Sequence, residues 1–263
     1  MADAFRGVSG AASALVIALP LGGVLLAAAA RRREERPRPG PPVYHFWTNL
    51  AFGVVSGAAA TYVTSSPEAS MRGFLHVQGW GVLRWLGIGG WRNVAVSFVA
   101  LDLANCLNHR LFHHVPLFWR FHKVHHSEIH FDYSTFFRTH AGEIVLDWLP
   151  GMFWIALLGP TMAATLVYEV FDRLWSQAQH ANLKLPAEWE TALSRLIMTP
   201  EKHFIHHSSN AAQTNSNYAT FFAWDRLMNT FRADDPGSVA PGLEGYRDPE
   251  ALGFWSLMAM PFR

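Results

Sequence analysis

Apolar and polar positions fall in blocks along this chain. Residues 8–30, VSGAASALVIALPLGGVLLAAAA, carry no charge and are long enough to cross a hydrocarbon core as a helix. A second block runs from about His45 to Val63. A third, Trp91 to Arg110, starts apolar and turns polar toward its end. Residues 144–159 and 160–177 read as a tight helical hairpin turning at Gly159-Pro160, because glycine closes a helix and proline cannot continue one. Between the second and third blocks, residues 65–90 mix Trp, Gly and Arg and are expected to lie along a membrane interface. The tail holds DDPGSVAPGLEGYRDP, a turn-rich loop, and ends in the surface segment ALGFWSLMAMPFR. The pattern predicts an all-α integral membrane helical bundle of about four to five hydrophobic segments.

Charge orients the bundle. The first block is followed at once by RRREER, and arginines flanking a span stay in the cytoplasm. A signal peptide would carry its positive charge before the apolar run, so residues 8–30 are expected to be a retained anchor. RPRPGPP is a stiff linker. Counting spans from there puts every histidine-rich region, 109–140, 180 and 203–207, on the cytoplasmic side. The expected organisation is an anchor and basic linker (1–42), a second span with an outer interfacial segment (43–90), a catalytic domain (91–232) and a tail (233–263). The expected location is an integral membrane one: the inner membrane of a bacterium, or the endoplasmic reticulum of a eukaryote.

Composition narrows the chemistry. A net charge of +1 with 16% charged residues gives no basic stripe for nucleic acid. The one cysteine, Cys106, rules out a disulfide within the chain and any cysteine-ligated zinc or iron–sulfur site. LGIGGW is too short and wrongly flanked for a dinucleotide loop, and no CxxCH marks a haem.

The histidines remain. FHKVHHSEIHFDYSTFFRTH holds five of them in residues 121–140, and the HKVHH spacing returns as HFIHH at 203–207. On a helix, each residue turns about 100°, so His122, His125 and His126 share one arc of roughly 100°, as do His203, His206 and His207. His109 and His113, four apart, stack on one face, at the end of a polar stripe through Asp102 and Asn105. Clustered neutral imidazoles need a partner for their lone pairs, and a metal ion provides it. Isolated His45, His76, His114 and His130 are expected to be interfacial or hydrogen-bonded. Eight histidines in repeated motifs exceed the needs of one zinc ion, and there is no HExxH. Two ions, each with four or five imidazoles, fit the number. The ligands alone do not choose among iron, copper, nickel and zinc.

HRLFH (109–113), HKVHH (122–126), RTHAGE (138–143), QHAN (179–182), HFIHH (203–207) and SNYATFFAWDRLMNTF (216–231) together resemble the fatty acid hydroxylase/sterol desaturase superfamily. The resemblance implies a membrane di-iron oxygenase. It implies metal ligands at His109, His113, His122, His125, His126, His203, His206 and His207, and further ligands at His140, within HAGE, and at His180. It also implies that Asn217, Tyr218 and Asp225 support the site. Asp102 and Glu143 are expected to orient imidazoles through their second nitrogen; an ion pair with Arg226 is the alternative for Asp225. Two iron ions are the expected cofactors, with zinc a substitute in purified protein. The expected partners are a membrane lipid, O2 and a separate electron donor such as a ferredoxin, cytochrome b5 or reductase, with no nucleic acid. The expected reaction is hydroxylation of an aliphatic lipid carbon. A desaturase of the same chemistry and a non-catalytic membrane metal-handling protein are the alternatives.

Overall fold

The computed structural model describes residues 42–263, and the predicted first span, RRREER and most of the proline-rich linker lie outside the described residues. Four long helices form the body: α1 Pro42–Val77, α3 Gly90–His114, α5 Ala141–Leu158 and α6 Met162–Gln179. Short helices join and cap them: α2 Val82–Trp85, α4 Pro116–His126, α7 Ala187–Leu193 and α8 Pro200–His206. Three more follow: α9 Ala211–Thr214, α10 Ala223–Leu227 and α11 Phe254–Ala259. Among the described residues the only β pairings are two isolated bridges, Ile197 with Phe221 and Ser208 with Pro241. The protein is helical, as its pattern predicts.

Successive long helices alternate in direction. α1 packs along α5 in the same direction, and α3 packs along α6 in the same direction and along α5 in the opposite one. Their junctions follow from the sequence. Gly159 ends α5 in the left-handed region at φ 67°, and the Thr161 hydroxyl then accepts from Ala164 N to start α6. The predicted turn at Gly159-Pro160 is there. Val115 is extended, as a residue before proline prefers, and Pro116 opens α4 at its first position. That single extended residue sets the first histidine pair beside the second box.

α1 is longer than its apolar block indicates. It runs unbroken through Pro67 to Val77, where residues 65–77 were expected to lie along the interface. Proline costs a helix one hydrogen bond, but Arg72 holds the far side. It pairs with Glu68 one turn back at 2.8 Å and with Glu169 of α6 at 3.2 Å.

Polar contacts tie the helices together, beside aromatic packing of Phe98 on Tyr168 and Phe171. Asn93 accepts from the Thr161 backbone N–H at 2.9 Å, Asn105 donates to Asp172 at 3.1 Å, and the Trp154 indole donates to Asn108 at 3.0 Å. Outward, the same helices show large apolar side chains, among them Val54, Tyr62, Val99, Leu149, Phe153 and Val167. α5 is long and apolar enough to cross a membrane, and little of it is buried in the protein.

Candidate metal centre

At one end of the bundle the last turn of α3, all of α4, the C-terminus of α6 and α8 come together. Nine histidines converge there in two adjoining groups. His109, His113, His122, His126 and His206 form one, and His125, His180, His203 and His207 the other, with one ring nitrogen from each histidine of a group within 4.8 Å of the others. The second and third boxes each divide between the groups, because residues three and four apart point to either side of a shared face. His126 stacks on His207 with ring centroids 4.5 Å apart, which joins the groups into one block.

The donors fit an ion. Nε2 atoms approach in pairs: His122 and His126, His125 and His180, His180 and His203, His203 and His207, His109 and His206, all between 2.9 and 3.2 Å. Two nitrogens bound about 2.1 Å from one ion lie about 3.0 Å apart at right angles and about 3.4 Å apart at tetrahedral angles. The observed spacing is of the size expected for donors gathered around a shared cation. Burial holds His125, His126, His203, His206 and His207 well below the ordinary imidazole value, and neighbouring histidines push the same way. These imidazoles are neutral, the form that binds a cation.

Four of the nine are steered from behind through Nδ1. His122 meets the Glu143 carboxylate at 2.7 Å; His109 meets the Tyr218 carbonyl at 2.9 Å; His206 meets the Ser216 carbonyl at 2.6 Å; and His180 meets the Ser176 carbonyl one turn back in its own chain. Each partner fixes the tautomer that turns Nε2 inward. The loop Ser216–Ala219 thus orients one imidazole from each of two boxes, and Asp225 fixes that loop. Its carboxylate accepts the Tyr218 and Ala219 backbone N–H groups, both at 2.9 Å, and the Thr230 hydroxyl at 2.7 Å. Asn217 sits at φ 53° within the loop, its side chain bonded to Lys202 O and to both backbone groups of Arg232. Arg226 turns away to the carbonyls of Ser194 and Arg195, so an Asp225–Arg226 pair is not what holds this region.

Two expected residues sit elsewhere. His140 is outside both groups. Its Nδ1 caps α5 by accepting from Gly142 N at 2.9 Å, and its Nε2 faces the Met258 carbonyl. Asp102 orients no imidazole. It lies two turns up α3 from His109, about 10 Å along the axis, and accepts from the Trp224 indole at 2.8 Å. Of the histidines given no metal role, His45 stacks on His130 beside Glu128 and Asp132, and His114 meets the Tyr218 hydroxyl.

Sequence reading missed a buried network behind the second box. Glu128 and Arg138 are both fully buried and joined to Asn49 of α1. Burial alone would raise the Glu128 carboxyl, but the Arg138 guanidinium, His45 and Asn49 outweigh it and hold it well below the usual range. A signal existed: both are charges next to histidine motifs in a weakly charged chain.

Among known proteins, an alkylglycerol monooxygenase of Caenorhabditis elegans is 30% identical over 143 residues, which are 51% of this chain and 26% of that one. An ornithine lipid hydroxylase of Rhizobium tropici is 28% identical over 171 residues, 64% of this chain and 50% of that one. A very-long-chain aldehyde decarbonylase of Oryza sativa is 29% identical over 153 residues, 55% of this chain and 24% of that one. The chain therefore spans half or less of these relatives' length. No solved structure matches it. The fatty acid hydroxylase family matches residues 94–230, just over half of the chain and the whole of both histidine groups. The protein belongs to the fatty acid hydroxylase family.

Proposed function

We propose that this protein is a membrane oxygenase that hydroxylates an aliphatic carbon of a lipid with O2 and electrons from a separate donor. The observation that carries this reading is the convergence of nine imidazoles in two adjoining groups at one end of a helical bundle with an apolar exterior. Two iron ions are the proposed cofactors, one in each group. Bound iron supplies the one-electron and O2 chemistry that breaking an unactivated C–H bond requires and that redox-inert zinc does not.

The chain's own residues do the rest. Glu143 and the carbonyls of Ser216, Tyr218 and Ser176 hold the Nδ1 protons of His122, His206, His109 and His180, which keeps Nε2 free to bind. Phe131 lies against His180, His203 and His207 and keeps water from the four-histidine group. The five-histidine group is covered by Trp119 and Tyr218, whose rings lie against His113. The relatives named for hydroxylation of alkylglycerol and ornithine lipids support a lipid as substrate. The apolar helix faces support a tail that enters from the bilayer. RRREER and the shared end of the histidine regions support a site facing the cytoplasm.

Membranes containing the expressed protein, an electron donor and labelled O2 test the reading. The expected product is a lipid heavier by one oxygen, with the label in it. A product lighter by two hydrogens would make the enzyme a desaturase, and oxygen drawn from water would overturn oxygenase chemistry altogether.

A further inference from the structure

We propose that Arg138 is a positioning residue for the metal centre: it clamps the end of α4 and so sets the second histidine box for both groups. The proposal rests on the reading of the histidines as metal ligands.

The last four carbonyls of a helix have no partner within it. α4 ends at His126, so the Val124 carbonyl, in the middle of HKVHH, is one of them. Arg138 Nε donates to that carbonyl at 3.0 Å. Another arm of the guanidinium donates to Ser127 Oγ at 2.8 Å, and the Ser127 hydroxyl donates to the same carbonyl at 2.7 Å. The remaining arm reaches Asn49 Oδ1 at 3.2 Å and Glu128 Oε2 at 3.4 Å. Asn49 in turn donates to Glu128 at 2.5 Å and to Ser134 at 3.0 Å. Arg138 is 1% exposed and Glu128 0%, so the charge is matched inside the protein and none of these bonds competes with solvent.

The clamp matters because of what the box lacks. His122 is steered by Glu143, but Nδ1 of His125 and Nδ1 of His126 have no hydrogen-bond partner. With no Nδ1 partner, their direction depends on the backbone and on the neighbouring rings they pack against. His125 belongs to the four-histidine group and His126 to the five-histidine group. A loosened helix end would therefore disturb both groups together. Only arginine spans these acceptors, since its planar fork presents five donors and the single ammonium of lysine cannot reach all of them.

Cobalt(II) titration of the full chain in detergent, read by visible absorption and by metal bound per chain, tests this without substrate. Arg138→Met alone would strand the buried Glu128 charge and risk unfolding. The informative variants are therefore Arg138→Met with Glu128→Gln, which stays neutral, and Arg138→Lys, which keeps the charge and loses the fork. Each is expected to keep the far-UV helical signal, to bind cobalt about 10- to 100-fold more weakly at both positions, and to show an altered visible spectrum. Asn49→Ala, which removes only the tie to α1, should give a smaller loss in the same direction. Wild-type affinity and spectrum in either folded Arg138 variant would overturn the clamp. Loss confined to one ion would overturn its control of both groups. A wild-type chain that takes up no cobalt would overturn the metal centre and the clamp with it.

Discussion

The proposed ligands are nine rings whose surroundings differ. His125→Ala and His206→Ala should each lower bound metal and abolish oxygenation, because each lost imidazole leaves an ion short of a donor. His130→Ala should leave metal content unchanged, since His130 lies with His45 outside both groups. His140 separates two readings. The sequence resemblance implies a ligand, whereas the structure shows a helix cap. Asparagine caps well, so His140→Asn should keep both metal content and stability, and a fall in bound metal would restore His140 as a tenth ligand. The boxes were legible because residues three and four apart share a helix face whatever the rest of the fold does. Asp102 was misjudged by the same local reasoning. It does lie on the stripe toward His109, but the Trp224 indole from 122 residues away takes its carboxylate. Asn49 gave no sign at all, because its partners Glu128 and Arg138 lie 79 and 89 residues downstream.

The junctions between elements carry as much of the site as the helices themselves. Asp225 touches no histidine, yet it holds the loop that orients His109 and His206. Asp225→Ala would leave the buried Tyr218 and Ala219 N–H groups without their acceptor, at about 1–3 kcal/mol for each. The expected result is a less stable protein whose metal affinity falls about 10- to 100-fold. Wild-type metal affinity in a folded Asp225→Ala chain would show that the loop orients nothing. At the opposite end, Gly159 closes the α5–α6 turn at φ 67° with its Cα against Gly81. An added Cβ would stand 2.6 Å from the Trp80 carbonyl oxygen and 2.7 Å from Gly81 Cα. Gly159→Ala should therefore destabilise the detergent-solubilised protein by more than the ~1 kcal/mol of the left-handed conformation itself, seen as a lower thermal midpoint with metal per folded chain unchanged. The glycine–proline pair made this turn readable in advance. The length of α1 was not readable, because Arg72 reaches across to Glu169, 97 residues on, and supports the helix beyond its apolar block.

At the scale of the whole molecule, the described helices bury polar side chains between them and turn large apolar ones outward. Asn49, Asn93, Ser97, Asp102 and Asn108 are buried between helices, while Trp47, Val54, Tyr62, Leu149 and Phe153 face out. In water such a surface would drive aggregation; in lipid the outward apolar side chains are solvated and the inward polar ones find each other. α1 at 36 residues is about 54 Å long, more than the ~30 Å hydrocarbon core; set upright across a bilayer it would project beyond the core. The four long helices bring Pro42, His114, Ala141 and Gln179 to the histidine end and Val77, Gly90, Leu158 and Met162 to the other. RRREER then makes a prediction about sidedness. Cysteines placed at two exposed positions, Asn215→Cys near the histidines and Gly89→Cys at the opposite end, in a chain carrying Cys106→Ala, report which end meets the outside. Impermeant thiol reagents applied to intact cells should label position 89 and leave position 215 untouched until the membrane is opened. Labelling of 215 alone would invert the protein and put the metal centre away from cytoplasmic electron donors. Labelling of both would mean that the histidine end and the opposite end share one side of the membrane, and that the four helices do not span it.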